Sequence, residues 1–243
     1  MLSAPVRQWG RAIGDLLYPR PCAVCGAAAG KAFAHLCWDC SAEIDFLQAP
    51  MCARCGEPVA GRVDGAFECH LCCAQPRHFE KARSAARYDA AAREMVRRFK
   101  YEQGLWLRND LVSLLYACID THYDEVPLDL VVPVPLHPVK RRTRGYNQSE
   151  VLAAGLAKRL GLPCARRALR RVRFTSTQTR LTARQRADNV RGAFSARLPA
   201  RFRQRHLLLV DDVMTTGATV SECSRCLLAA GAAGVWVVTV ARG

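Results

Sequence analysis

An α/β fold, with a parallel sheet flanked by helices and a small cysteine-rich domain before it, is the architecture this sequence predicts. Three observations predict it. Short apolar runs at 130–134, 206–210 and 235–240 alternate with segments of helical periodicity. These runs are continuously apolar, the pattern of strands buried on both faces of a parallel sheet. Nine of the thirteen cysteines are confined to Cys22–Cys73, ahead of the first run.

Along the chain, Val6, Trp9, Ile13, Leu16 and Leu17 have the spacing of a short amphipathic helix within residues 1–19. Trp9, Arg11 and Asp15 interrupt any apolar core a signal peptide would need, and no apolar run approaches the roughly 18 residues of a membrane span. The expected location is cytoplasmic. Residues 20–76 are rich in Cys, Gly, Ala and Pro and lack long periodicity, so they read as one small domain, and residues 77–243 as a second. In the second, "AAAREMVRRFKY" (90–101) sets Met95, Val96 and Phe99 on one helical side, and 111–123 continues as another helix. The prolines of "LDLVVPVPLHP" end a strand, and Tyr146–Leu160 is helical. Thr182 and Gln185 have the spacing of a capping box for a helix over 182–190. His206–Val210 is a strand, Gly217–Ala230 a helix and Val235–Val240 a strand. Nothing in the pattern specifies an oligomeric state.

Four CxxC pairs occur: Cys22/Cys25, Cys37/Cys40, Cys52/Cys55 and Cys69/Cys72. One pair places two thiolates on a metal through a tight turn, and two pairs complete a tetrahedral site. Two structural zinc ions are therefore expected, although four sulfurs also suit an iron–sulfur centre. Sequential pairing joins the first pair to the second and the third to the fourth; a crossed arrangement remains open. Cys73 and His70 are lesser candidates beside Cys72. Gly26 and Gly56 follow the knuckles, where the backbone must curl toward the sulfurs. Without an export signal a disulfide framework is not expected. Cys118, Cys164, Cys223 and Cys226 are scattered and read mostly as small buried residues.

Charge is uneven. Residues 1–80 carry seven Lys/Arg and eight Asp/Glu, whereas residues 81–243 carry 29 and 13. Lys140–Arg205 alone holds nineteen basic residues against Glu150 and Asp188. Such a segment attracts polyanions, either nucleic acid or a phosphorylated small molecule.

The sharpest signal is "LLLVDDVMTTGAT" at 207–219. An apolar strand meets two acids, and a threonine–glycine loop then opens a helix, which places the loop at the carboxyl edge of the sheet, where open α/β folds bind ligands. Backbone N–H groups and hydroxyls of Thr215, Thr216, Gly217, Ala218 and Thr219 can surround a phosphate at the helix N-terminus. Asp211 and Asp212 suit a sugar diol and can help organise a hydrated Mg²⁺. Together they ask for a sugar phosphate. The chain has no Gly-Lys-Ser/Thr segment of a P-loop.

That stretch resembles the phosphoribosyl pyrophosphate (PRPP) motif of type I phosphoribosyltransferases. More narrowly, the chain is similar to the ComF family (ComFC/GntX-like competence proteins). The likeness is carried by the double CxxC/CxxC ribbon, by "VVPVPLHPVKRRTRGYNQSEVLA" at 131–153, by "RFTSTQTRLTARQRADNVRGAF" at 173–194 and by the PRPP motif. The resemblance implies a type I phosphoribosyltransferase-like sheet behind a double zinc ribbon. It implies Asp211 and Asp212 on the ribose hydroxyls, and residues 215–219 around the 5′-phosphate. Arg142, Arg144 and Gly145 would take the pyrophosphate that comes with Mg²⁺, with Arg144 and the two acids the catalytic candidates, and Arg173–Gln178 would form a mobile flap. It further implies a link to DNA uptake and natural transformation, with single-stranded DNA as a partner and DNA-uptake channel or helicase proteins as protein partners. The alternative is an active enzyme that transfers ribose 5-phosphate from PRPP to a base or amine. A glutaminase activity is not expected, because every cysteine before Cys73 belongs to a CxxC pair.

Overall fold

The computed structural model describes residues 20–173, 182–197 and 199–243. The helix expected within residues 1–19 lies outside them. In the ribbon segment the described helices are short: α1 (Trp38–Ala42) and α2 (His70–Ala74) each follow a knuckle cysteine. Then come β1 (Lys81–Arg87), α3 (Ala90–Tyr101), α4 (Arg108–His122), β2 (Leu130–Pro133), α5 (Pro138–Arg144), α6 (Gln148–Leu160) and β3 (Leu169–Arg171). After these follow α7 (Ala183–Val190), β4 (Phe194–Ala196), β5 (His206–Met214), α8 (Ala218–Ala229) and β6 (Gly234–Arg242). β1, β6, β5 and β2 form a four-stranded parallel sheet in that order, and β3 pairs antiparallel with β4.

The apolar runs are buried on both faces, as expected. Along β5, Leu208 and Val210 enter one core with residues of α3, α4 and α6. Leu207 and Leu209 enter a second core with Val220, Cys223 and Leu227 of α8 and Phe194 of β4. The two ribbons divide between these cores: Cys22, Cys37 and Cys40 belong to the first, and Cys52, Cys55 and Cys72 to the second. Cys118, Cys223 and Cys226 are buried, and Cys164 is partly so.

Three features differ from the sequence reading. β1 has no apolar run; its Lys-Ala-Arg-Ser-Ala-Ala-Arg segment is nonetheless almost wholly buried. Arg83 of β1 donates to the carbonyls of Ala82 at 2.8 Å and Ala53 at 3.1 Å, and Ser84 shares a 2.6 Å hydrogen bond with Thr239 of β6. Polar pairing replaces apolar burial there. β5 does not stop at Val210 but pairs with β6 as far as Met214, so both aspartates lie within the strand. Residues 138–144, which the sequence pattern left without an element after the strand, form a helix: Pro138 occupies its first turn, His137 caps it, and Gly145 ends it at φ 84°. The capping box of Thr182 and Gln185 is present on α7.

The buried Ser84–Thr239 pair generates a prediction. Thr239→Val leaves the Ser84 hydroxyl without its partner and is expected to cost about 1–3 kcal/mol in urea unfolding. Adding Ser84→Ala should recover part of that loss, and purely additive losses would show the pair to be uncoupled.

Candidate functional site

The ribbon cysteines form two tetrads. Cys22, Cys25, Cys37 and Cys40 make one and Cys52, Cys55, Cys69 and Cys72 the other, with all sulfurs of a tetrad within 4.8 Å of one another. The pairing is thus sequential, not crossed. Cys25 and Cys37 sulfurs lie 3.6 Å apart, as do those of Cys55 and Cys69. A tetrahedron of 2.3 Å zinc–sulfur bonds has edges of about 3.8 Å, so each tetrad fits a zinc ion. Gly26 and Gly56 take φ 80° and 70°, and each donates its N–H to the carbonyl of the first cysteine of its pair. Cys73 is exposed and lies outside the tetrad, its thiol directed at the Glu68 carbonyl. Burial opposes ionisation of Cys22, yet N–H donors from Cys25, Cys37 and Val24 bring its pKa down to about 6; similar donors bring Cys52 to about 7. Burial and the neighbouring cysteines push Cys40 and Cys72 well above the ordinary thiol range. A cation is needed before all four sulfurs of a tetrad can ionise.

Both ribbons are fastened to the sheet domain by charge. Buried Asp110 of α4 accepts from the Ala34 N–H at 2.8 Å and meets His35 Nδ1 at 3.0 Å. Buried Arg242 of β6 donates to the Cys55 carbonyl at 2.8 Å, approaches the Cys55 sulfur at 3.6 Å and pairs with Glu57.

At the carboxyl edge of β5, Asp211 and Asp212 border a cavity of about 700 Å³ that is also lined by Lys100, Arg144, Gln148 and Thr219. The Ser149 hydroxyl donates to Asp211 Oδ1 at 2.8 Å, and the Asp212 N–H reaches the same oxygen at 2.9 Å. Lys100 Nζ lies 3.0 Å from Asp212 Oδ1. Burial first, and the adjacent Asp212 second, raise the Asp211 pKa to about 7 against those hydrogen bonds. Burial opposes the charge on Lys100, but Asp212 and Asp211 outweigh it and hold the pKa above the ordinary lysine value. Gln148 is 1 % exposed; its Oε1 accepts from Arg144 Nη1 at 2.8 Å, and its Nε2 has no partner. Arginine only donates, so the amide orientation is settled: Oε1 faces Arg144, and Nε2 is enclosed.

The other proposed ligand residues distribute unevenly. Thr215 and Thr216 turn the chain out of β5, and Gly217, at φ 75°, caps α8 in the left-handed region that favours glycine. Ala218 and Thr219 begin the helix, and of these five residues Thr219 borders the cavity. Arg186 of α7 donates to the Thr215 hydroxyl at 3.1 Å. Arg144 lines the cavity beneath Tyr101, with its guanidinium 4.8 Å from the ring centre. Arg142 is exposed, and neither it nor Gly145 borders this cavity. Of the flap expected at Arg173–Gln178, Arg173 caps the carbonyls of Asn189 and Arg191, and the rest lies outside the described residues. Lys100, Gln148, Ser149 and Arg186 escaped the sequence reading. The one available signal was position: Lys100 closes an amphipathic helix, and Gln148 and Ser149 directly follow "RGYN".

Residues 13–75 match the double zinc ribbon domain and residues 146–243 the phosphoribosyl transferase domain. Competence protein F of Haemophilus influenzae is 32% identical over 212 residues, which cover 85% of this chain and 90% of that protein. DNA utilization protein YhgH of Escherichia coli is 30% identical over 231 residues, covering 93% and 99%. Competence protein ComFC of Bacillus subtilis is 25% identical over 201 residues, covering 82% and 80%. Among the described residues no helix is long and apolar enough to cross a membrane.

Two predictions arise from the site. Elemental analysis is expected to find two zinc ions per chain, and iron, or one metal alone, would contradict the two tetrads as zinc sites. Asp211→Asn should stabilise the ligand-free protein. Because the Asp211 pKa is raised to about 7, the folded protein holds a proton that the unfolded chain has lost between about pH 4 and 7, so stability falls as pH rises through that window. The variant is expected to gain about 1–3 kcal/mol at pH 8 and progressively less as pH falls to 4, read from thermal unfolding midpoints. A gain independent of pH would refute this origin.

Proposed function

The chain belongs to the family of competence protein F and DNA utilization protein YhgH, and we propose that it is a PRPP-binding protein that handles single-stranded DNA during DNA uptake and natural transformation. In this reading residues 20–76 brace a phosphoribosyltransferase-like ligand-binding unit of residues 77–243. The observation that carries it is the cavity lined by Asp211, Asp212, Arg144 and Gln148. The acids offer acceptors to a ribose diol, and the turn at 215–219 offers N–H groups and hydroxyls to a 5′-phosphate. Arg144, held by the Gln148 amide oxygen, is the donor for the pyrophosphate. Arg142 and Gly145, proposed for the same group, stand apart from the cavity, which gives Arg144 the leading role. The oxygen donors of Asp211 and Asp212 fit a hydrated Mg²⁺, whose charge would offset that of the pyrophosphate. Lys100, 3.0 Å from Asp212, sets a positive charge beside the acids.

A second reading, transfer of ribose 5-phosphate to a base or amine, is favoured by Tyr101. This residue lines the same cavity and is 68% exposed, so its ring is available as a stacking face for an acceptor base. Departure of pyrophosphate leaves positive character on the sugar, which the two acids would stabilise.

Titration calorimetry with PRPP and Mg²⁺ tests the ligand. Binding is expected for the unmodified protein and its loss in Asp211→Asn/Asp212→Asn, while unchanged binding in that variant would remove the site assignment. Incubation with PRPP and a panel of bases separates the two readings. Pyrophosphate release that depends on a base makes the protein an enzyme, and tight binding without release favours the DNA-handling role.

A further inference from the structure

A second cavity, of about 920 Å³, runs between α4 and α6 and shares Asn147 with the Asp211 cavity. Asn147 is buried and fixed by its own amide, which donates to the Val134 carbonyl at 3.0 Å. The wall between the two spaces is therefore a single stretch of chain. Close helix packing forms the groove's floor: a side-chain carbon at Gly155 would stand 2.8 Å from the Val112 methyl, so only glycine leaves both helices where they are.

Five exposed cations border this groove: Arg108, Arg141, Lys158, Arg159 and Arg166. Glu150 is the one carboxylate among its lining residues, 3.5 Å from Arg141. Arg159 is braced in place, 4.0 Å from the centre of the Tyr116 ring and bonded to the Ser113 hydroxyl at 3.0 Å. Arg108 lies outside the basic segment 140–205, and folding brings it to the same groove. The cations do not converge on a point. Glu150, which marks Arg141, and Lys158 are separated by about 12 Å of helix axis on α6. One phosphate cannot satisfy so extended an array, but successive phosphates of a strand can.

We propose that the groove between α4 and α6 is the docking surface for the phosphate backbone of single-stranded DNA, leading at Asn147 to the wall of the Asp211 cavity. The inference rests on the reading of the chain as a DNA-handling protein and adds to it the surface that does the handling. The groove holds the backbone without reading sequence, since its cations address phosphates, which every base carries alike.

Fluorescence anisotropy with a labelled oligothymidylate, across a series of salt concentrations, tests it. Five phosphate contacts on a single strand imply a log–log salt slope of about −3.5. Arg108→Glu/Lys158→Glu/Arg166→Glu should weaken binding about tenfold or more and flatten the slope by about 2. None of these three residues lines the Asp211 cavity, so zinc content and PRPP binding should stay unchanged, which also certifies the fold of the variant. The control is Arg201→Glu/Arg203→Glu/Arg205→Glu, an equal change of charge on the segment entering β5, and it should affect the oligonucleotide far less. Equal losses in the two triple variants, or none in the first, overturn the groove while the DNA reading stands. An unmodified protein that binds no oligonucleotide even at low salt overturns both.

Discussion

Two carboxylates adjacent in sequence, withdrawn from water at the end of a strand, repel each other and need compensation from outside the strand. Asp211 and Asp212 obtain it from two helices distant in sequence: Lys100 at the end of α3 and Ser149 in the first turn of α6. Those two contacts oblige the ends of α3 and α6 to converge on the same strand end. The cavity is the space left between them, and Arg144, Gln148 and Tyr101 line it because they sit beside the converging ends. The site is thus a consequence of how the charge pair is held, and the unrelieved part of the cost appears in the raised pKa of Asp211.

The ribbons answer a different problem. β1 is an edge strand with two arginines, a lysine and a serine among its seven residues, too polar to be held by apolar burial alone. Arg83 fastens it to carbonyls of the second ribbon, and Arg242 fastens the neighbouring β6 to Cys55 and Glu57. A metal-bound knuckle offers rigid carbonyls in a segment with little core of its own, so the ribbon serves as a covering for the sheet edge that would otherwise be exposed.

These two constraints separate what was legible in the sequence from what was not. Helix α3 carries its apolar stripe, α7 its capping box, β2, β5 and β6 their apolar runs, and the cysteines their spacing, so local pattern sufficed for each. β1 was hidden because its burial is secured by partners far away in the chain. Lys100 was hidden for the same reason: on a helical wheel it is one basic residue among several, and only the fold shows that it faces Asp212. In sequence, Arg142, Arg144 and Gly145 stand together as one candidate group for the pyrophosphate. As a helix it turns Arg144 to the cavity and leaves Arg142 in solvent, because neighbours two apart on a helix face different ways. The extra cation of the groove, Arg108, could not have been joined to residues 141–166 without knowing that α4 packs on α6.

The order of strands has a consequence for how the molecule comes into being. Ser84 and Thr239, bonded across β1 and β6, are 155 positions apart, and β1 has no other partner in the sheet. While the chain is synthesised, the ribbons and β1 emerge well before the strand they need. For that interval the knuckles, once metal-bound, are a body already made that can shelter β1, with the arginine of β6 still to arrive. Closing so long a loop is slow, and an uncovered strand edge invites pairing with other chains. Zinc availability at the time of translation, and not only in the finished protein, therefore bears on how much of the chain reaches this fold.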